Sequence, residues 1–223
     1  MLFRDRSQAA QLLAEALEPW RGKNPLVLAV PRGAVPMGKI IAEHLGGELD
    51  VVLTRKLRAP GNPEFAIGAV DESGWSKVAD YARSTGANEE YIRREIAEQQ
   101  EIMRKRRAQY SGVAPPIDPT GRVVIVVDDG LATGSTMIAA LHALRAKNPT
   151  RLICAVPVAP PDAVAKVGAQ CDELVCLTQP DLFYAVGQFY RDFPQVEDEE
   201  VIATLRETRA KDGPQQSPGP KLH

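Results

Sequence analysis

The fold is decided by residues 123–136, which read Val-Val-Ile-Val-Val-Asp-Asp-Gly-Leu-Ala-Thr-Gly-Ser-Thr. The five β-branched residues at the start predict a strand that is buried on both faces, as strands of parallel sheets are. Two carboxylates, Asp128 and Asp129, follow at the carboxyl end of this strand, which is where open α/β sheets bind their ligands. The stretch therefore predicts an α/β protein with a ligand site that begins at the acid pair.

The small residues after the acid pair predict a tight loop that leads into a helix. Thr133, Ser135 and Thr136 supply hydroxyl donors, and the free N–H groups at a helix start attract anions. A Walker loop requires a lysine that this segment lacks, and the G-x-G-x-x-G pattern is absent. Helix capping alone could explain the hydroxyl residues, but it does not explain two acids at a strand end. Acids and loop together suit a phosphorylated sugar.

Residues 123–136 resemble the phosphoribosyl pyrophosphate (PRPP) signature of the type I phosphoribosyltransferases, in which two acids precede a T-G-x-T phosphate loop. The resemblance implies an α/β fold with a mostly parallel central sheet flanked by helices. It also implies that Asp128 and Asp129 bind the 2′- and 3′-hydroxyls of the ribose. The 5′-phosphate would lie on the loop formed by Ala132, Thr133, Gly134, Ser135 and Thr136.

Upstream of the signature, the chain has the pattern of a βαβ unit. Leu26–Val30 and Asp50–Thr54 predict strands, and Met37–Leu45 predicts the helix between them. A strand, a helix and a strand in about 30 residues require a parallel sheet. This order of elements agrees with the fold that the signature implies.

Two basic stretches in this unit extend the resemblance. The loop Pro31-Arg32-Gly33-Ala34 is similar to the pyrophosphate loop of the family, which often contains a cis peptide bond. Arg55-Lys56 ends the second predicted strand, where these enzymes place a basic residue on the pyrophosphate. The resemblance therefore implies PRPP contacts from Arg32, Gly33, Arg55 and Lys56, and catalytic roles for Arg32, Lys56, Asp128 and Asp129. Taken alone, each stretch is equally consistent with a solvated turn.

The middle of the chain differs in character from the βαβ unit. Leu57–Asp71 is rich in Pro and Gly and predicts a long loop with one short strand at Ala66–Val70. A highly charged helix with a thin apolar side follows, from Glu89 to about Gln109. We interpret residues 57–119 as an insert after the second strand, able to act as a lid over the site. The insert belongs to one domain, residues 1–210, and residues 211–223 are predicted to be a disordered tail.

Two other groups of residues carry weaker predictions. The basic run Arg104-Lys105-Arg106-Arg107 lies opposite helix acids and predicts a solvated face rather than an RNA-binding patch. The aromatic residues near the end of the chain predict packing on the core, with stacking on a base as the alternative; they are Phe183, Tyr184, Phe189 and Tyr190.

The composition limits the partners of the protein. Its 27 basic and 29 acidic residues give a net charge of −2. Such a balance lacks the excess of positive charge that non-specific binding of nucleic acid requires. We expect no membrane partner, because no apolar stretch approaches the ~18–20 residues that a span needs. Three cysteines, none in a C-x-x-C pattern, predict reduced thiols. The first residues, Met1 to Ser7, carry charges where a signal peptide would have its apolar region. Together these features predict a cytoplasmic protein.

The resemblance implies an enzyme of nucleotide metabolism, a pentosyl-transferring glycosyltransferase that moves 5-phosphoribosyl from PRPP to a small nitrogenous acceptor. Mg²⁺ is the expected cofactor, held through PRPP, with Asp128 and Asp129 reaching it only through water. A second copy of the chain is a candidate partner. The sequence departs from hypoxanthine-type members at Ala132, where they carry an aspartate for the purine N7, so the acceptor stays open. The alternative is a sensor of PRPP or a nucleotide that does not turn it over.

Overall fold

The computed structural model describes residues 2–211 of the chain. The elements alternate between strands and helices over most of its length. The strands are β1 Leu26–Ala29, β2 Glu48–Val51, β3 Thr54–Ala59, β4 Asn62–Asp71, β5 Ser76–Val78, β6 Val123–Val127, β7 Arg151–Val158 and β8 Glu173–Thr178. The helices are α1 Arg6–Ala16, α2 Val35–Leu45, α3 Glu89–Ser111, α4 Ser135–Arg145, α5 Pro161–Gly168 and α6 Asp198–Lys211.

The main sheet has five strands in the order β2-β1-β6-β7-β8, and every neighbouring pair is parallel. Successive residues of a strand point to opposite faces. The odd-numbered residues Ile125 and Val127 of β6 therefore join the core under α1, α2 and α6. Its even-numbered residues Val124 and Val126 join a second core under α4 and α5. Helices thus cover both faces of the sheet, and the predicted fold class is confirmed.

The segment after β2 forms a separate antiparallel sheet of β3, β4 and β5. The prediction of a long loop over Leu57–Asp71 is therefore wrong, since β4 spans Asn62–Asp71, but the short strand predicted at Ala66–Val70 lies within β4. Gly68 of this strand packs against the backbone of Lys77 at the strand pairing. The prediction that Arg55-Lys56 ends the second strand is also wrong. β2 stops at Val51, and the basic pair lies at the start of β3.

Helix α3 packs on this small sheet through polar groups. Glu95, Gln99, Met103 and Tyr110 are its buried residues. The carboxylate of Glu95 accepts hydrogen bonds from the Arg58 guanidinium at 2.7 and 3.1 Å. Burial acts to raise the pKa of Glu95, but the bonds from Arg58 outweigh it and hold that pKa below its usual range. The helix is therefore anchored by the ion pair between Glu95 and Arg58. Counting the apolar residues of α3 does not reveal this contact.

Part of the basic run 104–107 is packed rather than solvated. The Arg107 guanidinium donates to Glu72 at 2.9 and 2.7 Å and to the Val51 carbonyl at 3.1 Å. Arg106 pairs with Asp198 at 3.3 Å, so the predicted solvated face holds only for Arg104 and Lys105, which are exposed. These two packed arginines connect α3 to β2 and to the start of α6.

Near the chain end, α6 runs to Lys211, so the first residue of the predicted tail belongs to a helix. The rest of that prediction, residues 212–223, lies outside the described residues. Phe189 and Tyr190 are buried, as the packing interpretation predicted, whereas Tyr184 is 86% exposed. Within residues 2–211, none of the helices has the length and hydropathy that a membrane crossing requires.

Candidate active site

A cavity of about 400 Å³ opens at the carboxyl ends of β1 and β6. It lies between the main sheet and the small antiparallel sheet. Its walls bring together residues that are far apart in sequence, and most of the predicted site residues are among them: Arg32, Gly33, Arg55, Lys56, Asp128, Asp129 and Thr136, together with Val30, Pro31, Thr54, Arg58 and Pro63.

The two acids of the signature have different surroundings. Asp128 directly follows β6, and its Oδ1 accepts the backbone N–H of Asp129 at 2.8 Å. Burial and the nearby charge of Asp129 raise the pKa of Asp128 well above its usual value. Burial also raises the pKa of Asp129, but the Arg6 guanidinium acts against it. Two adjacent, partly buried carboxyls whose pKa values are both raised are typical of functional sites.

The loop after β1 lies against these acids. The peptide bond between Pro31 and Arg32 is cis, as is common in the loop that this segment resembles. A Cβ added at Gly33 would lie 2.2 Å from Asp129 Oδ2, so only glycine lets the loop approach the carboxylate this closely. Arg32 Nη1 donates to Glu197 Oε2 at 2.9 Å and lies 3.6 Å from Asp198 Oδ2. Two acids at the start of α6 therefore form ion pairs with this arginine.

The opposite wall carries Arg55 and Lys56 on β3. Arg55 Nε donates to the Gln99 amide oxygen at 2.9 Å. Among the described side chains, no carboxylate pairs with either cation. Burial lowers the pKa of Arg55, and the neighbouring charges of Arg106, Arg58 and Arg32 lower it further. Two cations without a described carboxylate partner, with further arginines close by, favour the binding of a polyanion.

The phosphate-type loop forms the edge of the cavity at the start of α4. Gly134 is the residue before the helix and has φ +76°, and a Cβ there would lie 2.6 Å from Val167 Cγ2. Thr133 Oγ1 and Ser135 Oγ lie 3.1 Å apart on the exposed side of the loop. Thr136 faces the cavity, while Ala132 and Thr133 line a neighbouring cavity of about 510 Å³. The Ser135 N–H donates to Thr133 Oγ1 at 3.4 Å, and N–H groups at the start of a helix give this loop an anion-binding geometry.

A family model described as the phosphoribosyl transferase domain matches residues 6–194, which include every residue that lines the 400 Å³ cavity. The chain belongs to the phosphoribosyl transferase family. The resemblance drawn from residues 123–136 is thereby confirmed at the level of the family and its fold.

Relatives of this phosphoribosyl transferase domain agree with that assignment. A solved structure, TT1426 from Thermus thermophilus, is 49% identical and has a TM-score of 0.78; the alignment covers 93% of this chain and 99% of that one. Two proteins of Mycobacterium tuberculosis, from strains CDC 1551 and H37Rv, are provisionally named phosphoribosyl transferases. Each is 40% identical over 209 residues, which cover 92% of this chain. The chain spans about half the length (46%) of these two relatives.

Several residues of the candidate site were not identified from the sequence. Arg6 at the start of α1 bonds Asp129, and the Tyr190 hydroxyl donates to the Asp129 carbonyl at 2.7 Å. Glu197 and Asp198 bond Arg32 from the start of α6. No local pattern marks these residues, since an arginine beside a helix cap and acids in a first helical turn are common everywhere. They reach the site only because the chain ends fold over it.

Proposed function

We propose that this phosphoribosyl transferase domain uses PRPP, and transfers its 5-phosphoribosyl group to a nitrogen nucleophile with release of pyrophosphate. One observation carries the proposal: the cavity has Arg55 and Lys56, which form no ion pair with a described carboxylate, on one wall and an acid pair with a phosphate-type loop on the other. PRPP is complementary to this arrangement, because it has an anionic pyrophosphate at one end, hydroxyl donors in the middle and an anionic phosphate at the other end.

Each group of PRPP has a counterpart in this arrangement. Asp128 and Asp129 would accept hydrogen bonds from the ribose hydroxyls, and the loop Ala132–Thr136 would hold the 5′-phosphate. Arg32, Arg55 and Lys56 would bind the pyrophosphate. As the bond from C1′ to the pyrophosphate oxygen breaks, the ribose gains oxocarbenium character and the leaving group gains charge. The acceptor nitrogen then bonds to C1′ and gives up its proton to solvent. Fixed cations favour this charge development without reorganisation.

Mg²⁺ is the cofactor of this proposal, and the residues present fit it only indirectly. Among residues 2–211, no three His, Cys, Asp or Glu side chains are grouped so that they could hold a metal ion. Mg²⁺ keeps several waters and binds through substrate phosphates with one or two carboxylates. Asp128 and Asp129 would meet it through water. Bound with PRPP, the ion would neutralise charge on the leaving pyrophosphate.

Pyrophosphate release tests the proposal directly. Purified protein with Mg²⁺ and PRPP is expected to release pyrophosphate in the presence of at least one member of a panel of purines, pyrimidines and other nitrogen nucleophiles. Lys56→Gln should lose most of this activity because it removes a cation from the pyrophosphate wall. Lys77→Gln, on β5 of the same small sheet and outside the cavity, should keep it. Since Ala132 supplies no carboxylate, 6-oxopurines should not be strongly preferred.

The same assay separates the proposal from its alternative. Tight binding of PRPP in calorimetry, with no pyrophosphate released across the panel, would favour a PRPP sensor. Absence of PRPP binding would overturn both functions. A clear preference for hypoxanthine would show that another residue replaces the missing acid at position 132.

The insert is expected to respond to the ligand. β3 pairs only within the small sheet, yet it carries Arg55 and Lys56 at the cavity wall. We therefore expect amides of residues 54–111 to gain hydrogen-exchange protection when Mg·PRPP binds, because the ligand would tie this sheet to the main one. Amides of β7, in the interior of the main sheet, provide the unchanged reference. Complete protection without ligand, or no change with it, would mark the insert as a fixed subdomain.

A further inference from the structure

Arg6 makes a contact with the acid pair between residues that are 123 positions apart in the chain. Its Nε and Nη2 atoms both donate to Asp129 Oδ2, at 3.0 and 2.9 Å. The side chains are only 11% and 17% exposed, so water screens the pair weakly. Asp129 lines the cavity, whereas Arg6 does not. The arginine therefore approaches the carboxylate from behind, on the side away from the ligand space.

Arg6 is itself held in place from two directions. Its Nη1 donates to the Pro194 carbonyl at 2.6 Å. The guanidinium carbon lies 3.7 Å from the centroid of the Phe193 ring, within range of a cation–π interaction. Because the guanidinium is planar and rigid, these contacts fix the direction of its remaining N–H groups. Asp129 thus meets a preoriented partner rather than a mobile surface charge.

The backbone of Asp129 is fixed as well. The Tyr190 hydroxyl donates to the Asp129 carbonyl, and Gly33 packs close to the Oδ2 atom. The other charged groups near the pair are Asp128, beside it on the chain, and Lys56, across the cavity from Asp128. With Oδ2 taken by Arg6, Oδ1 is the oxygen of Asp129 that can accept from a ligand.

We propose that Arg6 is a positioning residue, which holds the Asp129 carboxyl group in one orientation so that its second oxygen accepts from a ribose hydroxyl of PRPP. This inference rests on the proposed function. Arg6 would not touch PRPP, and its effect would pass through Asp129 alone. It follows that Arg6 should matter for ligands that contain the ribose and should not matter for pyrophosphate by itself.

The test is a double-mutant cycle read by calorimetry with two probes, Mg·PRPP and Mg·pyrophosphate. Arg6→Met keeps the apolar stem and is expected to weaken Mg·PRPP binding at least tenfold, with Arg6→Lys restoring part of the loss. In an Asp129→Asn background, adding Arg6→Met should cost less than twofold more. Binding of Mg·pyrophosphate should change less than twofold in every variant. Arg4→Met, an exposed arginine paired with Asp5, is the matched control.

The outcomes separate this proposal from a structural role. Equal losses for both probes, or a full tenfold further loss in the Asp129→Asn background, would show that Arg6 only supports the fold. An unchanged affinity in Arg6→Met would also overturn the proposal. If Arg6→Met does not fold, Arg6→Lys and Arg6→Gln carry the same comparison. Failure of the unsubstituted protein to bind Mg·PRPP would overturn the proposed function itself, and the Arg6 role with it.

Discussion

Asp128→Asn is expected to stabilise the free protein while weakening its affinity for Mg·PRPP more than tenfold. The carboxyl lies at the end of a buried strand beside a second acid, and its pKa is raised well above its usual value by burial and by Asp129. Asparagine keeps the oxygen that accepts the Asp129 N–H and removes the charge. A gain of about 0.5–2 kcal/mol in the free energy of unfolding is typical of relieving such a site.

The pH dependence of this gain has a definite sign. Asp128 in the unfolded chain loses its proton near its ordinary pKa of about 3.9, whereas the folded protein holds that proton to higher pH. The folded state thus binds more protons in this interval, so its stability falls as the pH rises from about 4 toward the raised pKa. Asp128→Asn removes this fall, and its advantage should be small at pH 4 and full above the raised pKa.

Denaturant unfolding at several pH values measures the effect, and thermal scans should show roughly 2–4 °C for each kcal/mol in a chain of this size. Asp118→Asn is the control, because Asp118 is exposed and its bonds with Thr120 lower its pKa. Relative to the unsubstituted protein, the free energy of unfolding of that variant should not increase as the pH rises. A destabilised Asp128→Asn protein, or one that keeps its affinity for Mg·PRPP, contradicts the assignment of Asp128 as a ligand-binding acid kept at a cost in stability.

Gly33→Ala is expected to lower Mg·PRPP affinity about a hundredfold, the order of loss that a displacement of roughly 1 Å can cause. The new Cβ would lie 2.2 Å from Asp129 Oδ2 and 3.0 Å from Arg6 Nη2, so either the loop or the carboxylate must move. Both carry groups proposed to bind PRPP. Calorimetry with Mg·PRPP gives the affinity, and thermal unfolding reports any general loss of structure.

Gly168→Ala is the matched control for this substitution. At the end of α5, a Cβ would meet Leu174 Cδ1 at 3.9 Å, which is ordinary contact. That variant should bind Mg·PRPP as the unsubstituted protein does. An unchanged affinity of Gly33→Ala for Mg·PRPP would show that the loop after β1 is not part of the ligand site.

The main sheet could be predicted from the sequence because its strands are short apolar runs with clear ends. Val123–Val127 is the same in prediction and structure, and β1, Leu26–Ala29, is one residue shorter than the predicted strand Leu26–Val30. The small sheet could not be predicted in this way. β4 begins with Asn62-Pro63, contains Gly68 and pairs with β3 through an irregular register near Leu57 and Arg58. These features are typical of loops when they are taken one residue at a time.

The packing of α3 could not be predicted from the sequence for a different reason. Glu95, Gln99 and Met103 are spaced by four residues and lie on one face, but only Met103 is apolar. The face is buried because β3 presents Arg58 and Arg55 to it. A buried polar face is recognisable only when its partner is known, and the partner is some 40 residues away in the chain.

The site divides in the same way between what sequence can and cannot predict. Residues in the loops that follow a strand, such as Arg32 and Asp128, were located because the carboxyl ends of parallel strands share one edge of the sheet. Arg6, Tyr190 and Glu197 come from segments that cross over this edge. Their positions depend on tertiary packing, and no spacing rule connects residue 6 to residue 129.

The pairing of β1 with two very different neighbours has a consequence for folding kinetics. Leu26 pairs with Glu48 nearby in the chain and with Val124 far along it. Each doubling of a closed loop costs only about 0.6 kcal/mol, so the long intervening segment takes little from equilibrium stability. It does slow the search, since non-local pairing lowers folding rates. Arg32 and Asp128 face each other only after β6 has docked on β1, which places the assembly of the binding cavity among the late events of folding.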